Sequence, residues 1–320
     1  MNSQPKVCCV VVTYNRKVLL MECLSAIINQ TYSVQRIILI DNASTDGTKA
    51  ALEEQGYLQN PIIDYVLMDT NTGGSGGFYE GIKKAREEDA SWIWIMDDDT
   101  IPQKDCLEKL LRAEKNIINS SERPIAYLAS AVFGMNDEFM NVPTISQKKS
   151  ENGYPYWYQF LDSGIVNIDD ATFVSIMFNK AAVAKCGLPC KDYFIWGDDI
   201  EYTRRLSKYY GEGYFVGGSV AIHKRINAKS LSLKTEDNLG RIKMFHYFIR
   251  NNNINDRLYN KRKHVRISAV KSILLSLRYL LDKKYGFQKM ETVIRGNIES
   301  LIQYKAFNRF INNEIKNSIL

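Results

Sequence analysis

Apolar residues follow two alternating rhythms through the first hundred positions. "KVCCVVVTY" (6–14) is an unbroken apolar run, the pattern of a strand covered on both faces. "RKVLLMECLSAIINQ" follows with helical spacing at Leu19, Leu20, Cys23, Leu24, Ile27 and Ile28. "QRIILIDNAS" reads as a second buried strand ending at Asp41, and Ser44 is expected to cap a helix over "TDGTKAALEEQ". "IDYVLMD" makes a third strand, the glycine stretch after it opens another helix, and "SWIWIMDDD" is a fourth strand running through Asp99. This alternation predicts an α/β fold of Rossmann-like type, a mostly parallel sheet flanked by helices, with ligand groups at the carboxyl ends of the strands. Thr13–Arg16, Asp41, Asn71–Gly77 and Asp97–Asp99 each follow a strand.

The pattern changes further on. Residues 125–225 mix short strands with the aromatic, polar stretch "ENGYPYWYQFLDSG". Beyond Met244 the chain is helical, and in "AVKSILLSLRYLLDKK" Val270, Ile273, Leu274, Leu277, Leu280 and Leu281 make one apolar stripe. We therefore divide the chain at about residue 240. Residues 1–240 form the α/β domain, with a nucleotide-binding half over 1–100 and an acceptor half over 101–240, and 241–320 form a helical C-terminal region.

Charge sharpens that division. The net charge of +6 is uneven: residues 241–320 hold 17 Lys and Arg against 5 Asp and Glu, a net of +12, which leaves −6 for the first 240. A basic amphipathic region of this kind suits an anionic membrane surface or a homo-oligomer contact. Aromatics do not interleave regularly with the basic residues, so no nucleic-acid partner is expected. No run is apolar enough to span a membrane, and the N-terminus lacks a basic n-region and a cleavage site. A cytoplasmic protein, peripheral at the inner face of the cell membrane, is expected. The six cysteines form no CxxC pair and read as buried thiols.

Two acid clusters carry the candidate chemistry. Asp97-Asp98-Asp99 concentrates like charges after an apolar strand, an arrangement that a hard divalent cation, Mn²⁺ or Mg²⁺, would compensate. In extended backbone Asp97 and Asp99 share a face, which leaves Asp98 free for a sugar or ribose. "DYFIWGDDIEYTRRL" places Asp198, Asp199 and Glu201 after Trp196, and a carboxylate beside an aromatic can act as a general base. His223 could be a third metal ligand. The glycines fit no dinucleotide fingerprint, because Tyr79 occupies the third glycine position; they read as a loop letting a ligand lie against the backbone.

Five segments in order, "VVVTYNRKVLLMECLSAIINQTY", "ILIDNASTDGT", "NTGGSGGF", "WIWIMDDDTIP" and "FIWGDDIEYTRR", resemble the inverting family 2 glycosyltransferases of the GT-A fold over about residues 6–225. Their combination looks like the galactofuranosyltransferase and rhamnosyltransferase branch. The resemblance implies a nucleotide pocket at Thr13, Tyr14, Asn15 and Arg16, with Asp41 reading the base. It implies a sugar-nucleotide cleft lined by Asn71, Gly73, Gly74 and Gly77. Asp97 and Asp99 would hold the metal, with His223 completing the shell. Asp199 would be the base, and Asp198 or Glu201 would position acceptor hydroxyls. Gly197 departs from the branch's pattern, in which Trp directly precedes the acids, and so leaves the base open between Asp198 and Asp199. The implied reaction transfers galactofuranose from a UDP donor, or rhamnose from a dTDP donor, to a capsule or O-antigen glycan or a polyprenyl-diphosphate-linked acceptor. A nucleotidyltransferase would need a glycine-rich basic N-terminal signature that "VVVTYNRKVLL" lacks. A sugar-binding protein without activity would have lost the acids.

Overall fold

The computed structural model describes residues 4–120, 123–225, 230–259 and 262–317. Its first half is β1 (Val7–Thr13), α1 (Lys17–Ile28), β2 (Arg36–Asp41), α2 (Thr48–Glu54), β3 (Ile63–Leu67), α3 (Gly73–Ala85), β4 (Trp92–Asp97), β5 (Thr100–Pro102) and α4 (Cys106–Ile118). The middle adds β6 (Ile125–Phe133), β7 (Phe139–Met140), β8 (Thr144–Ile145), β9 (Ile165–Asp170), β10 (Ile176–Asn179), α5 (Lys180–Cys186), α6 (Asp198–Tyr209) and β11 (Glu212–His223). Three helices follow: α7 (Leu239–Tyr259), α8 (Arg262–Ser276) and α9 (Gly286–Asn317).

Among the described residues these strands make one sheet in the order β3-β2-β1-β4-β10-β6-β11-β9-β8, with β5 on β11 and β7 on β6. The β3-β2-β1-β4 part is parallel, so each strand there ends on the same edge. β1 is unbroken in hydrophobicity because both faces are covered. Cys9 and Val11 join a core with α1 and α4, while Cys8, Val10 and Val12 join a core with α3, α5 and α6. All six cysteines are buried free thiols.

Two local expectations fail for physical reasons. Ser44 does not cap α2. Its hydroxyl accepts from Asn15 N at 2.9 Å, and the helix starts at Gly47 in left-handed conformation with Asp46 Oδ1 accepting from Thr48 N. The stripe over 270–281 is not carried by one continuous helix. α8 ends at Ser276, residues Leu277–Leu281 form a 3₁₀ turn, and Val270, Leu274, Leu277, Leu280 and Leu281 are exposed, Leu281 by 86%.

The C-terminal helices pack on the α/β part through two apolar clusters. Cys190 and Tyr193 meet Ile254, Tyr304 and Phe307, and Trp196 meets Phe245. α9 reaches back to the middle of the chain, where Glu314 Oε2 accepts from Leu188 N at 2.7 Å. Among the described residues no helix is long and apolar enough to cross a membrane.

Candidate metal and acid site at the carboxyl edge of the sheet

The first acid cluster is assembled by a turn and by strand register. β4 ends at Asp97, and Asp98 and Asp99 form a turn before β5. Asp97 and Asp99 therefore converge through a turn and not through the alternation of an extended strand. β5 runs antiparallel to the end of β11 with His223 opposite Thr100, and Lys224 N donates to Asp99 O at 2.8 Å. This register sets the His223 imidazole beside Asp99: Nε2 lies 3.2 Å from Oδ1. Ligand atoms of Asp97, Asp99 and His223 all lie within 4.8 Å of one another.

The chemistry of this donor set fits a divalent cation. His223 Nδ1 faces Asn141 Oδ1 at 3.0 Å, an acceptor that fixes the proton on Nδ1 in the neutral ring and leaves Nε2 with its lone pair. Asp99 Oδ1 is buried and has no aligned hydrogen bond. A lone pair would then face a carboxylate oxygen unless a cation lay between them. Burial, then Asp99 and Asp98, push the Asp97 carboxyl well above the usual carboxylate range. In the metal-free site an imidazolium at His223 would donate from Nε2 instead, and with Arg16 it holds Asp99 below that range against its burial.

Asp98 has a different task from the one expected of it. Its carboxylate accepts from Thr13 Oγ1 at 2.7 Å and Tyr14 N at 3.3 Å, and Arg16 bridges it to Asp99. Burial pushes it up to about 6, against the pull of Arg16 and Thr13. It ties β4 to the end of β1 and is spent on the scaffold. Asp41 is likewise occupied. It is 1% exposed, with Oδ1 accepting from Ser44 N and Oδ2 from Tyr65 Oη, both at 2.8 Å. It pins the β2–α2 turn, and its burial leaves it almost no surface toward a base. Asn15 Oδ1 accepts from Thr45 N at 2.7 Å, while the Tyr14 ring is 44% exposed beside this edge.

The glycine stretch is helix, not loop. Gly73 to Gly77 form the opening of α3, and most of their missing side chains make room for protein. A Cβ on Gly76 would meet Thr72, and one on Gly77 would lie 2.5 Å from Val12 Cγ1 of β1. Gly77 thus lets α3 lie close on the sheet and does not line a cleft. Gly73 has φ +73°, and a Cβ there would lie 2.0 Å from Phe194 O. Gly74 alone of these faces open space. Asn71 Oδ1 accepts from Gly73 N at 2.8 Å and from Asn42 at 3.1 Å. Asn42, which sequence reasoning passed over, also binds Gly73 O and Thr72 N and fastens the start of α3 to the end of β2.

The second acid cluster opens α6. Asp199 Oδ1 accepts from Ile200 N at 2.8 Å and Gly197 N at 3.2 Å. Its Oδ2 makes no hydrogen bond among the described residues, and the residue keeps an open side. Burial and the neighbouring Asp198 carboxyl push Asp199 up to about 7. Burial pushes Asp198 up to about 6, against Ser75, whose buried hydroxyl lies beside it without a well-aligned bond. Asp198 is also near enough to raise Asp97.

Glu201 and Trp196 stand apart from these acids. Glu201 is fully buried. Arg205 donates to Oε1 at 3.1 Å and Oε2 at 2.7 Å, and Tyr259 Oη donates to Oε1 at 2.7 Å. Buried and paired in this way it is not placed to position acceptor hydroxyls, the role the resemblance implied, and the i, i+4 arginine was the overlooked signal. Trp196 packs its ring on Phe245 and Phe248, at 5.3 and 6.2 Å between centroids, and so anchors the C-terminal region. Arg225 was also missed. Two residues past His223, it feels Asp99, Arg16 and Arg241 at this edge. A surface depression of about 740 Å³ lined by Gln4, Tyr32, Glu108 and Arg112 lies at the start of β1, the opposite end from the acids.

A mixed sheet with acids at its carboxyl edge and helices on both faces is the architecture of GT-A glycosyltransferases. Among solved structures, the chain is similar to GalNAc-T7 with UDP, GalNAc and Mn²⁺ (TM-score 0.56, 15% identity, 80% of this chain and 51% of that one). It is also similar to S. aureus TarS residues 1–349 (TM-score 0.52, 12% identity, 98% and 88%). These likenesses speak for the fold alone. Residues 8–160 match the model of glycosyl transferase family 2. Curated relatives include galactofuranosyltransferase GlfT1 of Mycobacterium tuberculosis, 29% identical over 206 residues, and GlfT1 of Mycolicibacterium smegmatis, 28% identical over 212. The matched region spans 62% of this chain and 63% and 65% of those relatives.

Proposed function

We propose that this chain is a metal-dependent inverting glycosyltransferase that moves galactofuranose from UDP-galactofuranose to a hydroxyl of a cell-surface glycan or a lipid-linked acceptor. The observation that carries the reading is the convergence of ligand atoms of Asp97, Asp99 and His223, with Asp198 near enough to raise Asp97 and Asp199 next to it in α6. The family domain and the names of the curated relatives support the donor class.

Mn²⁺ or Mg²⁺ held by Asp97, Asp99 and His223 would neutralise the diphosphate leaving group. Arg16 and Arg225 add fixed positive charge at the same edge. Asp199 Oδ2 takes the proton of the acceptor hydroxyl. The hydroxyl oxygen forms its bond to the anomeric carbon as the bond from that carbon to the diphosphate oxygen breaks, and UDP leaves with the electron pair. One displacement inverts the configuration and needs no enzyme nucleophile. Gly74 leaves room where the donor sugar would approach α3.

The exposed apolar stripe of α8 and the following turn, flanked by exposed Lys271, Arg278, Lys283 and Lys284, supports docking on an anionic membrane that carries the acceptor. The deciding experiment offers UDP-galactofuranose, UDP-galactopyranose and dTDP-rhamnose with Mn²⁺ or Mg²⁺ and follows release of the nucleotide. Turnover with UDP-galactofuranose alone supports the reading, turnover with dTDP-rhamnose alone moves the donor, and turnover with none overturns it.

A further inference from the structure

The segment that presents the second acid cluster has a backbone that its own sequence does not favour. Phe194 has φ 65° and ψ −58°, with Ile195 N donating to Tyr193 O at 2.8 Å, a tight three-residue turn of the rare left-handed form. Trp196 follows at φ 61° and Gly197 at φ 89°. Two non-glycine residues in this region persist only when surrounding groups over-determine them.

Those groups come from α7, some 55 residues later in the chain. Asn251 Nδ2 donates to Tyr193 O at 3.1 Å, Ile195 O at 3.0 Å and Trp196 O at 2.6 Å. Arg250 Nη2 donates to Asp192 O and Tyr193 O, both at 2.9 Å, and its Nε holds Asn251 Oδ1 at 2.8 Å. Asn255 Nδ2 donates to Gly197 O at 2.7 Å while its Oδ1 accepts from Tyr193 Oη at 2.5 Å. Arg250, Asn251 and Asn255 are all buried. Glycine suits position 197, where φ is +89° and a Cβ would press on Asn251 Cβ at 3.1 Å. On the other side Ser75 N donates to Phe194 O at 3.1 Å. The segment is gripped between α3 and α7, and Gly197, whose carbonyl Asn255 holds, directly precedes Asp198 and Asp199.

We infer that Arg250, Asn251 and Asn255 are positioning residues, which hold residues 193–197 in the one shape that aims Asp198 and Asp199 at the acceptor hydroxyl. The inference rests on the proposed role of Asp199 as base, and it makes the basic helical region part of the active-site scaffold as well as a surface. The carbonyls of 193, 195, 196 and 197 point toward α7, so α7 determines where the first turn of α6 begins. None of the three side chains contacts the Asp97–Asp99–His223 cluster, so donor binding is independent of them.

The test compares the full chain with Asn251→Ala, Asn255→Asp and Asn253→Ala. Asn255→Asp keeps the acceptor for Tyr193 but loses the donor to Gly197. Asn253 lies on the same helix and bonds Asn297 and Ser300 instead. Four quantities are measured: kcat and KM for transfer, affinity for UDP with Mn²⁺ by calorimetry, and amide exchange over 193–201. Asn251→Ala should lower kcat about 10²-fold, the order expected when a catalytic group is misplaced by an ångström. UDP affinity should stay within about twofold, and exchange should quicken at 194–200. Asn255→Asp should show the same split in weaker form, and Asn253→Ala none. Unchanged kcat in Asn251→Ala overturns the inference, as does an equal loss of kcat and UDP affinity. Should Asn251→Ala fail to fold, Asn255→Asp decides by the same split. A wild-type chain that transfers no sugar overturns the functional reading instead. The grip is then judged by exchange alone, and unaltered exchange at 194–197 in Asn251→Ala overturns it.

Discussion

Gly73 and Phe194 touch backbone to backbone: a Cβ on Gly73 would lie 2.0 Å from the Phe194 carbonyl oxygen. Gly73→Ala therefore meets a positive φ and a clash that no rotamer relieves, each costing about 1–3 kcal/mol. The melting temperature should fall by several degrees and transfer should be lost. Gly74→Ala meets no atom within 4 Å, so the fold should hold or gain up to about 1 kcal/mol from helix propensity. A rise in donor KM for Gly74→Ala would place that position on the cleft; thermal melts beside donor titrations separate the two effects.

Asp199→Asn should abolish transfer, by about 10³-fold or more if the carboxylate is the only base in reach, with UDP–Mn²⁺ affinity nearly intact. Near-normal turnover would move the base elsewhere, with Asp198→Asn the next variant to assay.

The pH profile follows from the same pair. Asp199 must be ionised to accept a proton, and it is pushed up to about 7, first by burial and then by Asp198. kcat/KM should fall as pH drops through about 7. Removing the like charge in Asp198→Asn favours the Asp199 carboxylate, so the acid limb should move to lower pH. A limb that stays in place or moves upward contradicts the pairing.

His223→Ala removes one of the three proposed metal ligands and leaves Asp97 and Asp99 to uncompensated repulsion in the absence of metal. Mn²⁺ affinity, read by calorimetry with UDP present, should fall about 10-fold to 100-fold, the range for lost ligand support. Asn141→Ala should give a smaller loss in the same direction, because it frees the imidazole to change tautomer. EDTA should stop wild-type turnover and added Mn²⁺ or Mg²⁺ should restore it.

Glu201→Gln leaves the Arg205 charge buried and unpaired, a loss of about 3–5 kcal/mol. The expected signature is a large fall in stability measured by denaturant unfolding. A variant of normal stability and low kcat would instead return Glu201 to the acceptor site.

The parallel half of the fold is legible in the sequence because a strand covered on both faces must be apolar throughout; "KVCCVVVTY" and "WIWIMDDD" leave little choice. The metal trio is legible as chemistry, though the turn at Asp98 and the β5–β11 register that bring it together are not. Local spacing cannot show that Asp41 would be taken by Tyr65, or that Thr13, Tyr14 and Arg16 would claim Asp98. The glycines misled for a similar reason. Their neighbours Val12 and Phe194 lie far away in sequence, so a packing requirement looked like flexibility. Arg250, Asn251 and Asn255 carry no signal of their own; only the folded chain sets them against carbonyls of residues 192–197.

The closing contact of α9, Glu314 on Leu188, has a consequence for synthesis. A chain emerging from the ribosome can complete the strands that carry Asp97 and His223 once about 225 residues are out, whereas residues 193–197 have only the α3 side of their grip until α7 follows, and Leu188 N lacks its Glu314 acceptor until α9 does. With the proposed roles, the residues for metal and nucleotide would come together before the proposed base is aimed, and transfer to acceptors would wait for α7.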